Sequence, residues 1–532
     1  MTNKKKIISL ILVLCLLVAL GVSYALWTTS DSQSDNNELT TDDCIDIVFE
    51  DKSSNITLTD TVPVLDKFGM QKAGYSFKIT NNCTKNVSYD VNLESLSNVA
   101  EENRTNLNYV KVALIEKSSN ETYAFNTLNN FDTTNSVLAS GTAYDTRVIL
   151  RDVLRPNKSV EYTLKMWMDE STPNSEQNKT YNSQITIYGT LTNSYNAVEY
   201  LTELAKTNTN EMYYDGASYT DPDTNELVVD NNLRYMGANP NNYVWFNNEP
   251  WRIIGVMNNV KGSSTDDGSG ETRIKLIRAE SLGEFPYIDS CADEYWTDNG
   301  DGTYTCSSKR YNNNWPNSTI NSLLNDLYWN RKNHESYHGW VFKNGTWQDY
   351  LTEKIEFKKD GLRTSDKSLI GNAVYYLGGY TKQSENNYYD LNMNTSKWYE
   401  AERINQGNNN ELTWIGNLGL MYPSDYSYAS KYILSDDCKN ISLYSWAESF
   451  NNKCKNNDWL YNSVFWEWTI TPRADSNVSY AHQSGGYIRN SDYGTIASFS
   501  IHPVLYLKKN VEMASGDGSR TNPYRLTIEE GV

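Results

Sequence analysis

The stretch Val160-Glu161-Tyr162-Thr163-Leu164-Lys165-Met166 places an apolar side chain at every second position. Successive side chains of a strand point to opposite faces, so this alternation predicts a β-strand with one buried and one solvated face. Similar short runs occur at residues 45–49, 75–79, 87–91 and 184–191. About eight such segments with polar turns and no long helix predict an antiparallel β-sandwich, jelly-roll or immunoglobulin-like, over residues 44–193.

The first 27 residues predict export. Three lysines at positions 4–6 precede an uncharged stretch, residues 7–27. As a helix this stretch would be roughly 31 Å long at about 1.5 Å per residue, enough to cross a bilayer. Ser23 and Ala25 place small residues at the positions that signal peptidase recognises. We therefore expect a signal peptide or, if it is not cleaved, an N-terminal membrane anchor with a transmembrane helix, and an extracellular or cell-surface location.

The cysteines favour the same compartment, because disulfides persist in oxidising surroundings. One of the seven cysteines lies in the apolar segment, and six remain. Proximity in sequence favours the pairs Cys44–Cys83, Cys291–Cys306 and Cys438–Cys454, although other connectivities are open. Free buried thiols or a metal site are the alternatives. No CxxC pair occurs and the four histidines are scattered, so we expect neither a metal nor another cofactor.

The pattern changes after the sandwich, and most of the tryptophans lie in the second half. A polar leader, residues 28–43, precedes the sandwich, and a helical linker, residues 194–230, is expected to follow it, with Asn196 capping a short helix. Residues 231–532 mix strand and helix patterns and are expected to form an α+β domain. Residues 330–410 are poorly patterned and predict long insertions.

Two local patterns in the second half are clearer. Asn247-Asn248 separates two apolar runs, residues 243–246 and 251–256, and predicts a tight β-hairpin turn. Ser318 can cap a helix with one apolar stripe, formed by Ile320, Leu323, Leu324 and Leu327.

A first resemblance rests on the N-terminal half. The basic start, apolar run and Ser-Tyr-Ala site precede the sandwich, which contains Arg155-Pro156-Asn157-Lys158-Ser159-Val160-Glu161-Tyr162-Thr163-Leu164. With these features residues 1–193 resemble the TasA/camelysin family of secreted bacterial β-sandwich proteins. The resemblance implies export, a jelly-roll-like sandwich and assembly into matrix fibres by donation of the N-terminal strand. Cys44 and Cys83 are not part of it.

A second resemblance rests on five segments: Trp251-Arg252-Ile253-Ile254-Gly255-Val256, Ile274-Lys275-Leu276-Ile277-Arg278, Gly419-Leu420-Met421-Tyr422-Pro423-Ser424-Asp425-Tyr426, Trp468-Thr469-Ile470-Thr471-Pro472-Arg473 and His502-Pro503-Val504-Leu505-Tyr506-Leu507. Together they resemble a domain of unknown function in exported proteins of gut Firmicutes. That domain is similar to C-type-lectin-like folds, including the formylglycine-generating and Fibrobacter paralogous groups.

The catalytic and metal-binding patterns of such folds are not matched. Calcium-dependent lectins use a Glu-Pro-Asn or Gln-Pro-Asp loop with a Trp-Asn-Asp strand, because calcium needs clustered oxygen ligands. The triplets Glu249-Pro250-Trp251 and Asn457-Asp458-Trp459 both depart from this pattern. No Gly-x-Ser-x-Gly elbow is present. A glycosidase that uses paired carboxylates stays open, because such a pair has no local signature.

The candidate binding residues are aromatic or charged side chains of the second half: Trp414, Tyr422, Trp466, Arg473, His482 and Tyr487. Aromatic rings with a few polar groups could form a sugar-stacking or peptide-binding surface. The alternative is that most of these rings belong to the core.

The formal net charge of −19 argues against nucleic acid as a partner. We expect an exported, non-enzymatic cell-surface protein: an adhesin or ligand-binding module with a sandwich spacer, whose ligand is a glycan or a surface protein. The first alternative is a structural biofilm-matrix or fibre-forming protein of the TasA type, for which self-assembly is possible. A secreted glycan hydrolase is the second. An uncleaved N-terminal helix would add contact with the membrane.

Overall fold

The structure of the protein is a computed structural model that describes residues 28–32, 44–49, 56–59, 62–134, 143–176, 178–262, 270–379, 393–404, 411–447, 452–472, 479–483, 486–490 and 495–528. The expected signal segment with Ser23 and Ala25 lies outside the described residues. Within them, no helix has the length and apolar character that crossing a membrane requires. The chain divides into two compact units, Met1–Ser194 and Tyr195–Val532.

The described strands of the first unit are β1 (Thr28–Ser32), β2 (Ile45–Phe49), β3 (Ile56–Thr59), β4 (Tyr75–Asn81), β5 (Asn86–Leu96), β6 (Val110–Glu116), β7 (Glu121–Thr127), β8 (Ala143–Leu154), β9 (Lys158–Met168) and β10 (Thr180–Thr192). One antiparallel sheet has the order β1-β10-β5-β8, with β3 also paired to β10, and the other has the order β2-β4-β9-β6-β7. Short helical segments connect them at Asp66–Gly69, Glu101–Asn103, Leu107–Tyr109, Leu128–Asn130 and Asn174–Glu176. Both sheets contribute to one hydrophobic cluster, so they pack face to face as an all-β sandwich.

Strand β9 confirms the alternation from which the fold was predicted. Tyr162, Leu164 and Met166 are buried, whereas Thr163 and Lys165 are only partly buried. The hydroxyl groups of Tyr162 and Tyr89 form a hydrogen bond of 2.8 Å. Tyr89 lies on β5 of the opposite sheet, so this bond crosses the core and satisfies two buried polar atoms.

The expected leader, residues 28–43, is in part a strand. Thr28–Ser32 forms β1 and pairs antiparallel with residues 186–190 of β10. A polar segment can form a strand, because a neighbouring strand supplies hydrogen-bond partners to any backbone, whatever its side chains. Residues 33–43 lie outside the described part of the chain.

All three disulfides expected from sequence proximity are present. Cys44–Cys83 lies in the first unit, beside the paired strands β2 and β4. Cys291–Cys306 and Cys438–Cys454 lie in the second unit and close loops of similar length.

The second unit is built on an eleven-stranded sheet. Its strands are Tyr195–Asn196, Met212–Tyr214, Leu233–Tyr235, Tyr243–Phe246, Glu249–Val260, Glu271–Arg278, Ile370–Gly371, Leu418–Gly419, Val504–Leu507, Val511–Ser515 and Tyr524–Ile528. The hairpin turn predicted at Asn247-Asn248 is confirmed, with φ of 58° and 56° at the two residues. Gly255 lies where Glu249–Val260 passes the carbonyl oxygen of Leu233, which a Cβ atom would approach to 2.2 Å.

Smaller sheets flank this one. A five-stranded sheet contains Glu284–Pro286, Ser498–Ser500, Glu467–Pro472, Ser479–Gln483 and Tyr487–Asn490, and a four-stranded sheet contains Trp296–Asp298, Tyr304–Cys306, Thr346–Leu351 and His338–Lys343. Two-stranded ladders pair Ser218–Thr220 with Leu227–Val229, Asn333–His334 with Ile355–Glu356, and Ala373–Tyr376 with Thr413–Gly416. The helical segments are Ala197–Ala205, Asp293–Tyr295, Trp315–Asn317, Thr319–Ser322, Leu323–Tyr328, Phe357–Asp360, Thr364–Lys367, Thr395–Ile404, Pro423–Tyr428, Lys431–Leu434, Asp436–Lys439, Leu443–Ala447 and Asn452–Lys455.

The helix capped by Ser318 is confirmed. The Ser318 hydroxyl accepts the backbone N–H of Asn321, and the four stripe residues Ile320, Leu323, Leu324 and Leu327 are buried. The helix continues as a π-helical turn over Leu323–Tyr328.

The short helix after Asn196 also forms, but it is not a linker. The Asn196 side chain accepts the backbone N–H groups of Val198 and Glu199 at the start of Ala197–Ala205. Leu201 is fully buried in the main hydrophobic cluster of the second unit. The apolar face of the helix is therefore part of that core.

Residues 330–410 are more regular than their sequence pattern predicts. They include the hairpin of His338–Lys343 and Thr346–Leu351 and the ten-residue helix Thr395–Ile404. The helix was missed because its buried face includes Glu402 and the largely buried Arg403, which an apolar periodicity does not reveal.

We expect Leu201→Ala to lower the free energy of unfolding by about 3 kcal/mol, because it leaves a cavity under a fully buried side chain. Leu227→Ala is the matched control, since Leu227 is 68% exposed and its loss should change stability by less than about 0.5 kcal/mol. Urea titration of both full-length variants, followed by tryptophan fluorescence, measures the difference. Equal midpoints would contradict a core position for this helix.

A candidate binding cleft in the second unit

The described members of the predicted binding set pack with two different hydrophobic clusters. Trp414, Tyr422 and Trp466 belong to or pack against the main core cluster, whereas Tyr487 packs against a second cluster. Tyr422 is only 2% exposed, and its hydroxyl oxygen accepts the backbone N–H of Tyr376. The ring of Tyr422 is therefore a core ring and cannot receive a ligand from solvent.

The other two members of the set are Arg473 and His482. Arg473 lies outside the described residues, and for His482 the structure describes the backbone alone. That backbone lies on the strand Ser479–Gln483, directly opposite Glu467 in the antiparallel pairing.

A polar cleft of about 270 Å³ lies at another place in the second unit. The charged and aromatic side chains that line the cleft come from distant parts of the sequence: Arg252, Arg278, Trp459, Tyr461, Glu467 and His502. Three of them belong to segments of the lectin-like resemblance, and a fourth segment begins directly after Glu467. The fold thus brings together, at one site, several segments that are far apart in the sequence.

Arg252 is held in the cleft by aromatic rings. Its guanidinium carbon lies 4.4 Å from the ring centroid of Tyr243 and 4.4 Å from that of Trp459. Its Nε donates to Oδ1 of Asn242 at 2.8 Å. Among the described residues, no carboxylate forms an ion pair with it. The cleft therefore contains an oriented, half-buried cation that has no carboxylate within ion-pair distance in the described part of the chain.

Arg278, the other arginine of the cleft, is already neutralised. Its Nε and Nη2 both donate to Oε2 of Glu249, at 2.9 and 2.5 Å. The Tyr328 hydroxyl donates to the other oxygen of Glu249 at 2.7 Å. Glu249, the first residue of the lectin-like triplet Glu249-Pro250-Trp251, thus serves an internal ion pair.

Glu467 and His502 add polar groups to the same cleft. Nδ1 of His502 lies 2.9 Å from Oε1 of Glu467, within ion-pair distance, but the angle between them does not make a directed hydrogen bond. Glu467 is 4% exposed. The pair offers both a carboxylate and an imidazole for contact with hydroxyl groups.

The loop that carries Trp459 is anchored beneath the cleft. The Trp459 indole N–H donates to the carbonyl oxygen of Tyr235 at 3.2 Å. The neighbouring Asp458 is buried and accepts the backbone N–H of Leu460. Burial raises the pKa of Asp458 well above its ordinary value, which favours the neutral acid. Asp458 thus supports the loop and, as a buried side chain, differs from an exposed calcium ligand.

A buried ion network lies in the same unit and was not found from the sequence. Arg234 pairs with Asp215 at 2.9 Å and with Asp425 at 2.7 Å, and Lys275 contacts the second oxygen of Asp425 at 2.5 Å. The four side chains are each no more than 3% exposed. Lys275 and Asp425 lie in two segments of the lectin-like resemblance. A lysine inside an otherwise apolar strand was the one sign of this network in the sequence.

Burial and pairing shift the pKa values of this network in opposite directions. Burial lowers the pKa of Lys275 to about 8, although Asp425 opposes the shift. Burial would raise the pKa of Asp425, but Lys275 and Arg234 together lower it to about 2. Burial raises the pKa of the nearby Glu402 to about 7, against the opposing effects of Arg403 and of hydrogen bonds from Ser424.

No cluster of three or more His, Cys, Asp or Glu side chains suited to a metal ion occurs in the part of the chain that the structure describes.

Comparison with known proteins adds little. No family model and no curated protein matches the chain. Among solved structures, a chain from a crystal structure of the T13 IBDV viral particle is 10% identical, with a TM-score of 0.16. The match covers 30% of this chain and 34% of the viral chain, and a similarity at this level carries no argument about fold or function. The resemblances to the TasA/camelysin family and to the lectin-like domain therefore stay predictions.

We expect Glu402→Gln to flatten the pH dependence of stability. A raised pKa means that the folded protein binds more protons than the unfolded chain between pH 4.5 and about 7. The contribution of Glu402 is therefore fully present below pH 4.5 and is lost as the pH rises through about 7. Relative to the variant, the wild type should lose up to about 3 kcal/mol across this window.

Urea unfolding of both proteins at a series of pH values measures this loss. Glu203→Gln is the control, because the Glu203 side chain is 73% exposed and should give a profile parallel to the wild type. A parallel profile for Glu402→Gln as well would show that Glu402 is ionised in the folded protein.

Proposed function

We propose that the chain is an exported cell-surface binding protein whose second unit holds a carboxylate-bearing glycan in the cleft. The observation that carries the proposal is Arg252, a half-buried guanidinium that lies against the rings of Tyr243 and Trp459 and forms no ion pair with a carboxylate of the described residues. A planar guanidinium fixed in this way pairs well with a planar carboxylate, because two N–H groups can donate in parallel.

The other walls of the cleft fit a sugar. Tyr461 provides partly exposed aromatic surface, on which the apolar face of a pyranose ring can pack, whereas Trp459 is a buried ring that orients Arg252. Glu467 and His502 provide an acceptor and a donor for sugar hydroxyl groups. The cleft is mainly polar, and a few fixed polar groups beside an aromatic ring can orient a sugar.

Binding is proposed in preference to hydrolysis. Glycosidases generally place two carboxyl groups on either side of the scissile bond. Glu467 is the single acidic side chain among the described residues that line this cleft. An acid without a second carboxyl group at its side is better suited to holding a hydroxyl group than to cleaving an acetal.

The three disulfides support a location outside the cytoplasm, since such bonds persist in oxidising compartments. The proposal assigns the first unit the role of a spacer of jelly-roll or immunoglobulin-like type, and the second unit a C-type-lectin-like role. It needs no metal and no cofactor.

We expect full-length protein to bind uronic-acid or sialic-acid glycans saturably on an array that also carries neutral glycans and wall polysaccharides. Arg252→Gln should weaken this binding at least about tenfold, because a charge-assisted pair is lost. Arg520→Gln is the matched control, because the Arg520 guanidinium lies 5.9 Å from the ring centroid of Tyr243 but does not line the cleft.

The array separates the alternatives. Equal binding by wild type and Arg252→Gln would contradict the placement of the ligand in this cleft. Binding that requires added calcium would contradict the metal-free site. Absence of binding to every glycan on the array would contradict the glycan proposal and favour a protein ligand or TasA-type matrix assembly.

A further inference from the structure

The contact between Lys275 and Asp425 is buried and lies against aromatic rings. Nζ of Lys275 lies 2.5 Å from Oδ2 of Asp425, and the two side chains are 1% and 2% exposed. The rings of Tyr422 and Tyr506 cover the amine, with centroids 4.4 and 5.5 Å from Nζ. An amine and a carboxyl group are thus held in contact, away from bulk water.

We propose that Lys275 and Asp425 condense to an intramolecular isopeptide bond. The ammonium first gives a proton to Oδ2, and the resulting neutral amine attacks Cγ. The new C–N bond forms, the C–Oδ2 bond breaks, and a second proton from nitrogen leaves with Oδ2 as water. One ammonium and one carboxylate become one secondary amide and one water, so no oxidant, reductant or co-reactant is needed.

The neighbours of Asp425 suit this step. Nη1 of Arg234 donates to Oδ1 at 2.7 Å, where negative charge would develop as the amine attacks. The backbone N–H of Tyr422 donates to Oδ2 at 3.0 Å and keeps the carboxyl group oriented. Arg234 also favours the ionised carboxylate before reaction, so we expect a slow condensation that follows folding.

Charge balance favours the product. Before condensation, Lys275 and Arg234 balance Asp425 and Asp215, and all four side chains are buried. Burying ionised groups away from water is energetically costly. Condensation removes one positive and one negative charge together, and the pair of Arg234 with Asp215 remains neutral. The low pKa of Lys275, about 8, supplies more neutral amine than an ordinary lysine has.

The bond would join two elements that are 150 residues apart in sequence. Lys275 lies on the inner strand Glu271–Arg278, and Asp425 lies on the helix Pro423–Tyr428. A cross-link over so long a loop restricts the unfolded chain strongly, as a disulfide of the same span does. This inference is independent of the ligand of the cleft.

Mass spectrometry of the wild-type, full-length protein tests the bond. The purified protein is denatured, reduced, alkylated and digested with trypsin. An amide at Lys275 blocks cleavage there, so we expect residues 274–278 to be joined to residues 404–431. The joined species should weigh one water, about 18 Da, less than the sum of its two peptides.

Lys275→Arg is the matched control, because it keeps a cation beside Asp425 but offers no amine for the amide. We expect residues 404–431 of this variant to be recovered as a free peptide. Recovery of that free peptide from the wild type, with cleavage after Lys275, would overturn the proposal. Retention of the linked mass in Lys275→Arg would also overturn it, because the link would then involve another residue. The wild-type result alone decides the question if the variant does not fold.

Discussion

The buried carboxylate of Asp425 is the constraint on which the second unit depends. It accepts hydrogen bonds from Arg234, Lys275 and the backbone N–H of Tyr422, and so ties two strands of the main sheet to the helix Pro423–Tyr428. A buried charge is tolerated only when its partners are in place, because an unpaired one costs several kcal/mol. The positions of these elements are therefore set more narrowly than apolar packing alone would set them, since apolar contacts allow small shifts.

The cleft depends on the same strands. Arg278 ends the strand that carries Lys275, and Arg252 lies on the strand beside it. One arginine is neutralised by Glu249, whereas the other is held by rings and a neutral amide. A chain with a formal net charge of −19 repels anions at long range. Recognition of an anionic sugar therefore has to come from a local, oriented charge such as Arg252.

Features that are caused by residues close in sequence could be predicted, whereas features that depend on distant residues could not. Strand alternation around Tyr162, the cap at Ser318 and the three disulfides depend on neighbours in sequence or on simple pairing, and all were confirmed. The helix Thr395–Ile404 was missed because Glu402 is buried by partners that the sequence does not place nearby. Tyr422, a member of the predicted binding set, is a buried ring, and aromatic composition does not distinguish a core ring from a ring that binds a ligand. The cleft could not be predicted from the sequence, since its residues come from separate strands and loops.

Both units bury polar groups. In the sandwich, a neutral hydrogen bond between Tyr89 and Tyr162 crosses the core, and Arg151 forms a largely buried ion pair with Asp132. In the second unit, four charged side chains are buried together, and the strength of their contacts depends on geometry and on pH. An amide between Lys275 and Asp425 would turn the most demanding of these contacts into a neutral one that no pH change can undo. It would also fix the strand of Arg278 at one wall of the cleft, so that the site proposed for the ligand would be held by a covalent bond and not by charge alone.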